Sequence, residues 1–473
     1  MRSAILLGFL ALYGCATAPG YRSSSVRPPT SFREDPHPLS PSPSGRGGTK
    51  DEPTVSSDYW DQLGDTTLSR LVGEVLRGNL DVRSARARVS AARSDRVRSL
   101  LDLTPSATLA AGYSRQRLST ASFPGALGGG VFPDQSVWDA GMNASWDLDL
   151  FGGIRHTVQA RGALAEVAQE DLRNVQVTLT AEVARAYFEL RGAQEQLDVA
   201  RQNAENQRRT FDLTKERLDA GRGSAFDTER AQAQLSSTLA SIPAREAQVA
   251  AAQYRIGTLI GRSPTEVARE LEQSGALPRL PEVTSIGTPE AVVRYRPDVA
   301  SAERFAAAQG ALVGAVKASY LPRLTIAGSA GYAAPEFNSV GNQGTLRYVV
   351  GPVITWPGLN LGRVKAEVDA AEAREEAARA QYGRVVLAAM EDMETSLARY
   401  RAARLQVERL QEASAASERA AELARLRFRE GVTDFLQVLD AERTELEAQD
   451  RLAQGRIDAA TAYATLYKAA GGR

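Results

Sequence analysis

Between residues 137 and 150, apolar and polar side chains alternate. Trp138, Ala140, Met142, Ala144, Trp146, Leu148 and Leu150 take the even positions, with Asp139, Asn143, Ser145 and Asp147 between them. Leu346, Tyr348, Val350, Pro352, Ile354 and Trp356 repeat the pattern. Weaker alternation marks Ala107, Leu109, Ala111 and Tyr113, and again Leu324, Ile326, Gly328, Ala330 and Tyr332. Period two belongs to strands, so strands are expected over about 105–117, 136–150, 322–334 and 345–356. One apolar face, one polar face and tryptophans near an end suit a sheet between lipid and an aqueous lumen. On alternation alone, a half-buried sheet in a soluble protein reads the same.

The rest of the chain reads as long helices. Ile154 to Ala220 and Gly362 to Glu430 contain no proline. At about 1.5 Å per residue each run spans roughly 100 Å. Met393, Tyr400 and Val407 recur every seven residues, with Val386, Met390 and Leu397 between them, and Val183, Leu190 and Leu197 do the same in the first run. That is coiled-coil spacing. Gly221 and Gly431 interrupt the two runs, and helical patterns resume to about 261 and 470. A glycine between helices that restart at once marks a hairpin tip.

These elements are duplicated. "NLDVRSARARVSAA" (79–92) aligns with "RPDVASAERFAAAQ" (296–309), and "LTPSATLAAGY" (103–113) with "YLPRLTIAGSA" (320–330), both at an offset of 217. "GMNASWDLDLFGG" (141–153) then falls on "GPVITWPGLNLGR" (351–363) at an offset of 210, as does "RLDAGRGSAFDTERA" (217–231) on "RFREGVTDFLQVLDA" (427–441). The drop of seven lies between the paired strands, where a loop belongs. The expected unit is helix, strand, strand, long helix, helix, occurring over 58–261 and again over 290–472, with a segment 262–289 between. Four strands cannot close a barrel, and an open edge is not tolerated in lipid. If the strands span a membrane, copies must pool them: two give eight strands and a filled interior, three give twelve and room for a channel.

Composition narrows the classes. Lys+Arg and Asp+Glu both number 57, which argues against a nucleic-acid binder. Residues 16–57 are rich in Pro, Ser and Gly and read as a flexible tether. No apolar run reaches the roughly 18 residues of a spanning helix. The one cysteine, Cys15, has no internal partner. Before it stand Arg2 and the ten-residue apolar run "AILLGFLALY", which ends in Leu12 and Tyr13, then Gly14. This resembles the bacterial lipobox, Leu-x-Gly-Cys. It implies a signal peptide over 1–14, diacylglycerol on Cys15, and a lipidated tether over 15–57. Ala16 after the cysteine implies sorting to the outer membrane.

"WDQLGDTTLSRLVGEVLRGNLDV", "SWDLDLFGG", "AYFELRGAQEQL", "YRPDVASAE" and "GVTDFLQVLDAERTELEAQ" resemble, in order, the outer membrane factor family. More narrowly they resemble its lipidated NodT-type branch, the TolC-like exit ducts of tripartite efflux pumps, and the likeness covers about 58–472. It implies a mixed, mainly α fold and a homotrimer. That trimer has a 12-stranded outer membrane β-barrel, four strands per protomer, continued by a long periplasmic α-helical barrel. Implied partners are a periplasmic adaptor (membrane fusion) protein, an inner-membrane pump of the resistance-nodulation-division class, and outer membrane lipid. At the second tip Leu436 matches a constricting apolar ring, Asp440 a ring acid, and Arg443 a charge that pairs to hold the closed state. Gln437 departs from relatives that carry a second acid there. Asp227 matches a tip position that hydrogen-bonds neighbouring helices, and the tips with Gly221 and Gly431 match the adaptor-docking region. A single such Asp is, on sequence alone, more often a solvated helix face.

An enzyme is not expected. With His37, His156 and Cys15 there is no catalytic pairing, no metal cluster and no cofactor motif, and "GALGGGVF" (125–132) lacks the Lys of a phosphate loop. The expected function is a passive exit duct for small molecules. A type I secretion duct, a metal-efflux duct and a structural coiled-coil lipoprotein are the alternatives. Against metal export stands the lack of Met-rich or His-rich tracts. Substrate choice normally belongs to the pump.

Overall fold

A computed structural model describes residues 58–117, 133–282 and 288–472. The elements run α1 (Asp58–Asp61), α2 (Thr66–Gly78), α3 (Leu80–Leu101), β1 (Ser106–Gln116), β2 (Gln135–Leu148), α4 (Gly153–Asp219) and α5 (Ala225–Ile260). After α6 (Pro264–Glu270) and α7 (Pro289–Tyr295) come α8 (Pro297–Lys317), β3 (Arg323–Ala334), β4 (Leu346–Thr355), α9 (Leu361–Arg429) and α10 (Phe435–Ala469). The series α3-β1-β2-α4-α5 thus recurs as α8-β3-β4-α9-α10. The chain divides into two compact units, one holding the strands and the helix segments that flank them (89–168 and 302–382), the other the remaining helices.

In the strand unit the sheet order is β1-β2-β3-β4, antiparallel throughout. Register decides which residues share a face. Leu109 lies opposite Met142, Met142 opposite Ala330, and Ala330 opposite Tyr348. Tyr113, Trp138 and Ala334 form a second such row, and Trp146, Ile326 and Pro352 a third. The alternation in sequence is therefore one continuous apolar face. Leu109 and Tyr348 on it are 85% and 78% exposed, so no described residue covers that part of the face.

Trp138 and Trp146 stand eight residues apart on β2, about 26 Å at strand rise. That matches the roughly 25 Å apolar band of a membrane barrel with aromatic rows at its borders. The Trp146 indole donates to the carbonyl of Leu103 at 2.9 Å, and Trp356 donates to Tyr320 at 3.0 Å. These pairs occupy equivalent places in the two repeats. Each pins the root of a strand pair to the helix end before it. The opposite face carries the polar residues. Arg347 on β4 reaches over β3 to grip Asp139 on β2 through two 2.7 Å bonds. Gly331 and Gly141, paired on its path, have no side chain to block it.

In the helical unit, Asp65 caps α2, accepting from the backbone N–H groups of Thr67 and Leu68 at 2.9 and 3.0 Å. The apolar stripe Leu68, Leu71, Val72 and Val75 is buried behind it. Trp60 is fully buried against Tyr463, Tyr467 and Phe188. The duplication persists at the helix ends. Asn79 donates to Leu259 O near the end of α5 at 2.7 Å, and Arg296 donates to Ala469 O at the end of α10 at 3.2 Å. Arg296 also binds Asp298 and Asp392, and its charge complements the helix C-terminus. Of the heptad residues, Val183, Leu190, Leu197, Val386, Met393, Leu397 and Tyr400 are buried. Val407 is half-buried because it lines a cavity of about 910 Å³ with Leu277, Pro278 and Arg404.

Candidate functional site: the second helical tip

Two helical hairpins end in matched tips. Gly221 and Gly431 have φ of 68° and 76°, a left-handed conformation that favours glycine. In each, the residue after the glycine closes the turn: Arg222 N–H donates to Arg217 O at 2.8 Å, and Val432 N–H to Arg427 O at 2.9 Å. Each following helix is capped in kind. Ser224 accepts from Phe226 N–H at 3.2 Å, and Asp434 from Gln437 N–H at 3.1 Å.

At the second tip Phe428, Phe435, Val438 and Ala231 form a small core, with the two phenyl rings 5.8 Å apart. Arg217 at the end of α4 locks onto it. Its guanidinium lies 4.3 Å over the Phe428 ring and donates to Phe428 O at 2.6 Å and Arg429 O at 3.0 Å. These are the last carbonyls of α9, which favour a cation.

Leu436, Asp440 and Arg443 share the exposed face of α10. Leu436 is 46% exposed, and the side chains of Asp440 and Arg443 are 77% and 65% exposed. Arg443 Nη2 stands 3.9 Å from Asp440 Oδ1, and its Nε lies 3.8 Å from Glu447. The structure thus brings Asp440 and Arg443 together at the limit of an ion pair, with Leu436 one turn earlier. Asp227 lies in the first turn of α5, half-buried, beside an exposed Phe226 whose ring stacks under Arg230 at 4.7 Å. Cys15, the tether and the 125–132 loop lie outside the described residues.

Behind that face is a feature the sequence reading passed over. Glu442 and Glu445 are about 200° around α10 from Asp440 and Arg443, and both side chains are only 4% exposed. Arg425 of α9 binds both, Nε to Glu442 at 2.9 Å and Nη2 to Glu445 at 2.5 Å. Thr210 of α4 donates to Glu442 at 2.8 Å. A signal did exist. Val438, Glu442 and Glu445 follow i, i+4, i+7, so two acids fall on the apolar stripe of a helix. Among the described residues, no group of His, Cys, Asp and Glu could hold a metal. No described helix is long and apolar enough to cross a membrane.

The family model "Outer membrane efflux protein" matches residues 71–262 and 289–472. The chain is 29% identical to the pyoverdine export outer membrane protein OpmQ of Pseudomonas aeruginosa, over 98% of this chain and 95% of that one. It is 28% identical to nodulation protein T of Rhizobium leguminosarum bv. viciae, over 84% of this chain and 80% of the other. The solved outer-membrane channel OprN superposes with a TM-score of 0.86 at 35% identity, covering 97% of this chain and 99% of that one. The uncovered apolar sheet face, the duplicated hairpins and these likenesses agree: the chain belongs to the outer membrane efflux protein family and is an efflux channel of the outer membrane.

Proposed function

We propose that three copies pool their strands into a 12-stranded barrel and conduct small molecules passively from the periplasm to the exterior. The observation that carries this reading is the sheet itself. Among the described residues it has four strands with β1 and β4 unpaired on their outer sides, one mainly apolar face and one mainly polar face. Two open edges in hydrocarbon leave several backbone groups without partners, at several kcal/mol each. Pairing β1 of one copy with β4 of the next removes them, and twelve strands leave an aqueous lumen on the Asp139–Arg347 side. Exposed Val97, Leu101, Leu387, Leu405 and Leu423 on the helices support close packing against neighbouring copies. Native mass measurement of the detergent-extracted protein should give three copies. A stable monomer with its strands intact would defeat the proposal.

In this reading the narrow point of the resting channel is formed by Leu436 and Asp440, with Arg443 offsetting the repulsion among three Asp440 side chains around the axis. The tips at Gly221, Asp227 and Gly431 receive a periplasmic adaptor, which links the duct to an inner-membrane pump, and Cys15 carries the lipid anchor. The conduit needs no cofactor and performs no chemistry of its own.

A further inference from the structure

The hairpins meet in a polar seam whose bookkeeping does not close. Asn203 of α4 donates to Gln449 of α10 at 2.7 Å, and Thr210 donates to Glu442 at 2.8 Å. These pairs are seven residues apart on both helices, so the helices run antiparallel in constant register. Gln207, four residues after Asn203 and three before Thr210, therefore faces the residue four before Gln449 and three after Glu442. That residue is Glu445. Gln207 is 3% exposed, and neither its amide nitrogen nor its amide oxygen has a hydrogen-bond partner. By register, then, an orphaned carboxamide stands opposite the position of a buried carboxylate that it does not bond. The same cluster holds two carboxylates against one guanidinium, that of Arg425. It is short one positive charge and one hydrogen-bond donor. One proton on Glu445 supplies both: the acid O–H donates to Gln207 Oε1, and Gln207 Nε2 donates back to the acid carbonyl.

We infer that Arg425, Glu442, Glu445 and Gln207 are positioning residues for the constriction, and that uptake of one proton by Glu445 tightens the hold of α4 and α9 on α10. The inference rests on the reading that the constriction lies at Leu436 and Asp440, which ride on the opposite face of the same helix. Burial pushes the Glu445 carboxyl above its ordinary range, Arg425 pulls it down without cancelling that effect, and Glu442 and Glu418 push it further up. An arrangement that bared Glu445 to water would restore the ordinary value. The proton therefore favours the packed arrangement: its contribution is full at acid pH and is lost as pH rises through the raised value. The resting channel is then tightest in mild acid and loosens above it.

The test uses the full-length lipidated protein in planar bilayers. Resting conductance is followed against pH in an Asp440→Asn background, where the acidic ring no longer titrates. The expected profile keeps one step, with lower conductance on the acid side. Glu445→Gln mimics the protonated form, so it should remove the step and hold conductance at the acid level. Gln207→Leu fits the seam without an orphaned amide and should move the midpoint down by about half a pH unit or more, the equivalent of one net hydrogen bond. It also serves where Glu445→Gln does not assemble. A profile indifferent to both substitutions, with cation selectivity lost in Asp440→Asn, overturns the inference alone. Unchanged cation selectivity in Asp440→Asn shows that the constriction lies elsewhere and overturns both.

Discussion

Arg217→Ala is the most direct probe of how the two hairpin tips are joined. The native guanidinium donates to Phe428 O at 2.6 Å and Arg429 O at 3.0 Å and lies 4.3 Å over the Phe428 ring. Charged hydrogen bonds contribute about 1.5–3 kcal/mol each when buried, and the ring contact about 0.5–1 kcal/mol. The low ends sum to about 3.5 kcal/mol, and because Arg217 is half-buried, water replaces part of what is removed. About 2 kcal/mol is left for the whole contact, which is roughly thirtyfold in an opening equilibrium. Hydrogen exchange reads that equilibrium locally. Backbone amides at the ends of α4 and α9 should exchange up to about thirtyfold faster in the variant, while those around Trp60 keep their wild-type rates. Arg217→Lys keeps the charge but cannot fork to two carbonyls, and it should recover only part of the protection. Tip amides that stay within twofold of wild type in Arg217→Ala would refute the claim that this residue couples the hairpins.

Asp440→Ala should weaken cation selectivity in bilayer recordings. Arg443→Ala should raise resting conductance by no more than about fivefold, because an ion pair this exposed is weak. Cys15→Ser should abolish labelling by radioactive fatty acid yet leave trimers in the membrane fraction, because the strands insert on their own account; labelling that persists would place the lipid elsewhere. Trp60→Ala empties a fully buried site and should cost about 3–5 kcal/mol, seen as a lower melting temperature of the extracted protein. A melting temperature equal to wild type would show that α1 is not part of the core.

The strands were legible because the sheet has one mainly apolar and one mainly polar face, and such a surface writes its period into the sequence at every second residue. Trp138, Trp146 and Trp356 gave it direction. The long helices were legible because no proline falls between 154 and 220 or between 362 and 430. Hydrogen-bond partners across the fold were not legible. Arg296 reads as one more arginine in a chain full of them, and only the structure shows its bond to Ala469 O, 173 residues away. The Arg425 cluster was hidden for a different reason. Acids alternating with arginines on a helix usually mark a wet surface, and the decisive fact, which side of α10 faces α4, depends on the pairing of distant helices. Asp440 shows the converse: its place was suggested by family likeness, while in the single chain it is merely an exposed side chain.

The duplication breaks at one place that matters. At the offset of 210 that superimposes the two tips, Arg425 corresponds to Lys215, Glu442 to Gln232 and Glu445 to Leu235. Leu235 is buried, whereas Lys215 and Gln232 are exposed. The first hairpin is thus tied by a greasy contact, the second by a charged one that can change state. In the proposed trimer, six look-alike hairpins would alternate around the axis as three fixed posts and three adjustable leaves. A duct built from one duplicated gene product would then aperture like a three-bladed shutter, its sixfold outline concealing a threefold mechanism.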